Sequence, residues 1–325
     1  MCAAFRDEYP GPPSELVLGD PTGIPLVVIV GPTASGKSAL ALQLAEHQRG
    51  AIISADSRQV YQGFDIGTAK PTAQEQNAVP HDLIDVVSPE ETFSVKRFQS
   101  LAKEAIAHRR SQGYLPLLVG GTGLYVRAVL DGLSLPIGEP NSALRASLAK
   151  LENLHEQLSQ VDPVTAARLH PNDRVRLIRA LEVYHLTKTP ISELQRTEAC
   201  PYRLLMIGVG VSRPRLFEAI DARVERMLDA GFEAEVARLG ERWGWDHPLL
   251  ATLGYAEIAR FLQGQCSRDE AIALMAQHTR QYAKRQLTWF RADSRVHWLS
   301  RDPAEPIDAV ALKAGQLIQR WVIGS

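Results

Sequence analysis

LVVIVGPTASGKSALALQLA, residues 26–45, decides the fold. Leu26–Val30 is an apolar run of strand length and Ser38–Ala45 is built from helix formers, so the segment reads strand, loop, helix. Between them, Gly31-x4-Gly36-Lys37-Ser38 has the P-loop spacing. In that motif successive backbone N–H groups cradle phosphate oxygens, the lysine neutralises them and the hydroxyl reaches a metal ion. A helix starting where the loop ends adds a positive dipole. The motif places an anion against Gly31, Thr33, Ala34, Ser35, Gly36, Lys37 and Ser38 without naming the phosphate compound.

Downstream, short apolar segments alternate with helical ones: Ala51–Ser54, Leu83–Val87, Leu115–Val119 and Leu204–Val211 join Leu26–Val30 as expected strands. The alternation predicts an α/β fold, a P-loop NTPase-like parallel sheet with helices on both faces. Between the last two strands the pattern turns helical. Leu144, Leu148, Leu151 and Leu158 recur at helical spacing across Asn141–Gln160, and Asp173–Leu186 carries Leu177, Leu181 and Tyr184 on one face. The expected organisation is a loose tail over 1–23, the core over 24–134, a helical insertion over 135–200, the rest of the core over 201–299, and a C-terminal helix and tail over 300–325. Further helices are expected at Pro214–Ala230 and Ala271–Ala292.

The chain has 325 residues, 45% hydrophobic and 22% charged, which suits one large or two ordinary globular domains. No run approaches a membrane span and no signal pattern opens the chain, so a cytoplasmic protein without membrane attachment is expected. Three cysteines, Cys2, Cys200 and Cys266, lie far apart with no CxxC spacing, which argues against a disulfide framework or zinc module. Net charge is −1, yet the distribution is uneven: Arg168–Lys188 has five Lys/Arg against two acids, and Arg280–Arg295 five against one. On a helix, Arg280, Lys284 and Arg291 share a stripe opposite Met275, Tyr282 and Trp289, so one side can face phosphates while the other packs.

A phosphate-hydrolysing P-loop protein places an acid after a second apolar strand. Here Leu115–Val119 is followed by Gly120-Gly121-Thr122-Gly123, without an acid. The acid comes earlier, in Ser54-Ala55-Asp56-Ser57-Arg58-Gln59, where strand ends line a ligand crevice. Asp56 is a candidate for catalysis, or for capping the next turn.

GPTASGKS, SADSRQVYQGFDIGTAKP, HDLIDV, GGTGLY, HPNDRVRLIRALEV, GFEAEV and KRQLTWFR, in this order from about Ile24 to Trp298, together resemble bacterial tRNA dimethylallyltransferases, also called tRNA isopentenyltransferases. The resemblance implies transfer of a dimethylallyl group from dimethylallyl diphosphate, with Mg²⁺, to N6 of the adenosine 3′ of the anticodon (position 37). It implies Asp56 as general base with Thr122 beside the reacting groups, Arg223 together with the P-loop on the diphosphate, and Ser38 on the metal. It places the tRNA anticodon stem-loop against Asp56, Ser57, Arg58 and Gln59, against Arg145, Val175, Arg176, Leu177, Ile178 and Arg179, and against the basic helix through Arg280, Lys284, Arg285, Gln286 and Arg291. A monomer is expected. A loop holding a diphosphate that leaves from carbon needs no water aimed at phosphorus, which accounts for the missing acid. The competing readings are an ATP-dependent small-molecule kinase, a non-catalytic RNA-binding protein, and an enzyme prenylating free adenine nucleotides.

Overall fold

The computed structural model describes residues 23–133, 141–195, 199–304 and 306–323. The expected loose tail up to residue 22, and the expected start of the insertion at 135, lie outside them. Contacts divide the chain into two compact units, one reaching Val126 and resuming at Pro201, the other Arg127–Cys200.

In the first unit the chain runs β1 (Ile24–Val30), α1 (Lys37–Gln48), β2 (Gly50–Ser54), α2 (Ala73–Ala78), β3 (His81–Asp82), α3 (Val95–Ser111), β4 (Leu115–Gly120) and into α4 (Gly123–Leu130). The second unit contains α5 (Ser142–Ala149), α6 (Leu154–Val161), α7 (Pro163–Ala166), α8 (Arg174–Thr187) and α9 (Ile191–Leu194). The chain returns through β5 (Tyr202–Gly210), α10 (Arg213–Asp229), α11 (Phe232–Trp243), α12 (Tyr255–Leu262), α13 (Arg268–Arg291), β6 (Val296–Ser300) and α14 (Asp308–Ile323).

The six strands form one parallel sheet in the order β3-β2-β4-β1-β5-β6. Parallel strands buried on both sides read as continuous apolar runs, as Leu26–Val30 does. The two-residue period sends Val27 and Ile29 into a core with Leu40 and Leu44 of α1 and Ala314, Ile318 and Trp321 of α14. On the opposite face α3 packs across β1, β2 and β4. The P-loop leaves β1 between β4 and β5, where connections depart in opposite directions, and such a switch point opens a crevice at the strand ends.

Two strand expectations need correction. Leu83–Val87 is not a strand: Leu83 and Asp85 are left-handed, at φ 64° and 55°, which turns the chain. Leu83 and Val87 are nevertheless buried, and Val87 makes a single bridge to Tyr61. The sheet also has a strand the sequence did not announce, β6, pairing Met206–Gly210 with Val296–Ser300. In the second unit Asn141–Gln160 is two helices, α5 and α6, whose leucines share a core with Leu177 and Leu181 of α8.

Candidate active site

The P-loop folds as its residues dictate. Gly36, at φ 89°, precedes α1 in a left-handed conformation, and a β-carbon there would lie 2.5 Å from the Arg301 guanidinium. Ala34 is also left-handed at φ 62°, an uncommon conformation for a side-chain-bearing residue. Lys37 opens α1 and its ammonium donates to Pro32 O at 3.4 Å. Burial, then the neighbouring Arg223 guanidinium, lower the Lys37 pKa to about 8 against a smaller upward pull from Asp56. Burial likewise lowers the pKa of Arg223, opposed by Asp56.

Lys37, Ser38, Asp56 and Arg223 therefore meet in one cavity of about 560 Å³, which Ser57, Arg58, Tyr282 and Arg285 also line. Asp56 is half-buried just beyond β2, and its Oδ1 accepts from Arg58 N–H at 2.8 Å, a local turn bond. Its Oδ2 has no donor among the described residues. Thr122 Oγ1 accepts from Ser57 N–H at 3.2 Å, and the Tyr282 hydroxyl lies close to the Thr122 side chain. Burial and then Asp56 push the Tyr282 pKa up to about 12, so the phenol stays neutral. The structure thus brings Asp56, Thr122, the P-loop and Arg223 together. No cluster of three or more His, Cys, Asp or Glu among the described residues could hold a metal ion unaided.

Lys37 and Arg223 also line a second depression of about 450 Å³, together with Arg215, Arg226 and Arg301. Arg301 Nη1 donates to Ser35 O at 3.0 Å, bracing the loop, and Arg215, Arg226 and Arg301 with Lys37 and Arg223 give this depression a cationic lining, Glu218 being the acid among them. Sequence reasoning missed Arg301 because it missed β6. An arginine following VHWLS at a strand's carboxyl end was the available signal.

The cavity-lining residues Gly67 and Tyr255 are held by Glu235 of α11, which is 5% exposed. Its carboxylate accepts from the N–H groups of Asp65, Ile66 and Gly67 at 3.2, 2.8 and 3.2 Å and from the Tyr255 hydroxyl at 2.7 Å. Three successive amides form an anion-binding concavity that the chain fills with its own carboxylate.

Three residues expected to meet RNA have committed side chains. Gln59 accepts from Ser54 Oγ at 2.8 Å and donates to Thr68 O and Ala69 O at 3.2 and 3.1 Å. Leu177 is fully buried in the α5–α6–α8 core. Gln286 is 6% exposed, and its amide accepts from Thr33 N–H at 2.8 Å and donates to Gly121 O at 3.0 Å. The expected packing stripe on α13 also differs: Met275 is buried, but Tyr282 lines the cavity and Trp289 is 41% exposed beside Gly123.

Residues 59–293 match the family model described as IPP transferase. The chain belongs to the IPP transferase family. It is 51% identical over 301 residues to a tRNA dimethylallyltransferase of Gloeobacter violaceus, covering 92% of this chain and 99% of that one. Among solved structures it is similar to the tRNA isopentenylpyrophosphate transferase of Bacillus halodurans, with TM-score 0.70, 40% identity and coverage of 92% and 97%. It is also similar to a eukaryotic dimethylallyltransferase solved acting on tRNA, with TM-score 0.79, 26% identity and coverage of 93% and 80%.

The remaining residues that IPP transferase resemblance assigned to tRNA fall in both units. On α13, Lys284 and Arg285 are exposed and Arg291 is half-buried. Arg280 is turned onto Asp221 and stacks over Phe217 at 5.3 Å. In the second unit Arg145 and Arg179 both bond to Glu182, which is fully buried. Val175 is 81% exposed, Arg176 pairs with Asp173, and Ile178 leans on the core. No helix among the described residues is long and apolar enough to cross a membrane.

Proposed function

We propose that the chain transfers a dimethylallyl group from dimethylallyl diphosphate to N6 of the adenosine 3′-adjacent to the anticodon of tRNA, releasing diphosphate. The observation that carries this is the pairing, in one cavity, of a phosphate cradle with a carboxylate that stands at the end of β2 rather than after β4. Breaking the allylic C1–O bond leaves the electron pair on the departing diphosphate, where Lys37, Arg223 and the loop amides stabilise it. The N6 lone pair of adenine is delocalised into the ring, so attack on C1 is helped by a base that takes the N6 proton, a role for which Asp56 Oδ2 is available. The target base leaves its stack to enter, at a cost of a few kcal/mol. Arg301 joins the diphosphate side by bracing the P-loop.

Magnesium fits this site. Ser38 Oγ, exposed on the first turn of α1 and shared by both depressions, is a hard oxygen donor suited to an ion otherwise held by diphosphate oxygens and water. When bound, the ion would add charge stabilisation to the leaving group. Arg58, Val175, Arg176, Lys284 and Arg285 form the exposed part of the proposed tRNA contacts. The protein is proposed to act as a monomer, and tRNA as acceptor suits the cytoplasm.

Purified protein with Mg²⁺, offered dimethylallyl diphosphate or ATP together with unmodified tRNA or AMP, tests the proposal by product mass. Prenylated tRNA is expected only with the prenyl donor and tRNA. Phosphorylated product from ATP would establish a kinase, and prenyl-AMP without prenyl-tRNA a nucleotide prenyltransferase.

A further inference from the structure

Resting on the prenyl-transfer reading above, we infer that Gln286 is a positioning residue that holds the donor half and the acceptor half of the active site at one fixed spacing. The donor half is the P-loop, and Thr33 N–H belongs to it. The acceptor half is a connected unit: Ala55 N–H donates to Val119 O at 2.7 Å, Thr122 N–H to Ala55 O at 3.4 Å and Ser57 N–H to Thr122 Oγ1 at 3.2 Å, so Asp56 moves with the Gly120–Thr122 turn. Gln286 bonds to both halves, at Thr33 and at Gly121, from a buried position on α13.

The chemistry at the two ends is opposite. Thr33 presents a donor and Gly121 an acceptor, and a primary amide offers one oxygen acceptor and one N–H donor from a single rigid plane. Its carboxylate analogue, Glu, has no donor for Gly121 O. The fit is also steric, because a β-carbon on Gly121 would lie 2.1 Å from Gln286 Nε2. Tyr282, Gln286 and Trp289, at positions i, i+4 and i+7, put the same α13 face along this turn: Tyr282 on Thr122, Gln286 on Gly121, Trp289 beside Gly123. Breaking an allylic C–O bond while N6 closes on the same carbon requires donor and acceptor to be aligned, and a misplacement of about 1 Å costs on the order of 10²-fold.

Gln286→Met keeps the volume and removes both bonds. The expected result is single-turnover transfer to tRNA slowed by about 10²-fold, with affinities for tRNA and for dimethylallyl diphosphate within threefold of wild type. A larger share of the donor should end as dimethylallyl alcohol. There the C1–O bond to diphosphate breaks as before, water oxygen bonds to C1 in place of N6, and the proton passes to solvent. That share is a ratio of products, so a smaller folded fraction does not move it. Gly121→Ala, which displaces the amide without altering it, should reproduce the effect and decides by the same readouts if Gln286→Met binds neither substrate. Transfer within threefold of wild type, or a loss of tRNA affinity matching the loss in rate, overturns the inference; the second outcome would make Gln286 the tRNA contact that family resemblance implied. Failure of the wild-type protein to prenylate tRNA at all would instead sink the prenyl-transfer reading.

Discussion

Arg223 of α10 and Lys37 of the P-loop line the same cavity, and the repulsion between them, second only to burial, holds the Lys37 ammonium down near pKa 8. Two enclosed cations with one nearby carboxylate, Asp56, make a site under electrostatic tension until an anion enters.

The first expectation is an alkaline limb in donor binding. Lys37 must be charged to neutralise a diphosphate, so kcat/KM for the donor should fall as pH rises through about 8. Lys37→Arg should remove that limb. Because the unfolded chain holds this proton up to 10.5 and the folded chain only to about 8, the unfolded state binds more protons across that window. The contribution of Lys37 to folding stability is therefore least favourable below pH 8 and improves toward pH 10.5. Denaturant titrations at pH 7 and 9.5, wild type against Lys37→Met, measure that difference. A pH-independent donor kcat/KM between 7 and 9.5 would contradict the assignment.

Asp56→Asn should lower turnover by about 10²–10⁴-fold, the range of a lost general base, while tRNA affinity stays within a few-fold. The same change removes an upward pull on the Lys37 pKa, so the alkaline limb should move to lower pH. Near-normal turnover would leave Asp56 with its Arg58 turn bond alone.

Arg301→Met should weaken dimethylallyl diphosphate binding by about tenfold, the scale of one charge-assisted hydrogen bond. Calorimetry with the unreactive diphosphate ion reads the effect directly, and tRNA affinity serves as control. Unchanged diphosphate affinity would confine Arg301 to the rim.

Lys284→Ala and Arg285→Ala should each flatten the slope of log tRNA affinity against log salt by about 0.7–0.9. Arg179→Ala is expected to behave differently, because it strips one partner from the fully buried Glu182 and should lower the thermal stability of the insertion as well. Identical salt slopes for wild type and Lys284→Ala/Arg285→Ala would make this face of α13 a solvated one.

The parts of the fold legible in the sequence were those specified locally. The P-loop spacing, the apolar runs of β1, β2, β4 and β5, and the helices around α8, α10 and α13 depend on neighbours in the chain. β6 was not legible because VHWLS is short and carries a buried histidine and tryptophan, so only pairing with β5 makes it a strand. Leu83–Val87 failed for the converse reason, since its apolar spacing is real but two left-handed residues bend it away from the sheet. At the site, Asp56 and Lys37 stood out by position after strands. Gln286, Glu235 and Arg301 did not, since each acts on backbone groups far away in the chain, and nothing local distinguishes a glutamine facing RNA from one facing Gly121.

The bonds from Gln286 to Thr33 and from Arg301 to Ser35 span 253 and 266 positions. A nascent chain emerging from the ribosome displays its phosphate loop before α13 and β6 exist, and the loop lacks both braces until those elements have been made. Non-local closures of this kind are slow to form, and they couple segments that are made far apart in time. Synthesis of α13 and β6 thus completes the site, and a chain released short of β6 would carry the motif without the Arg301 brace.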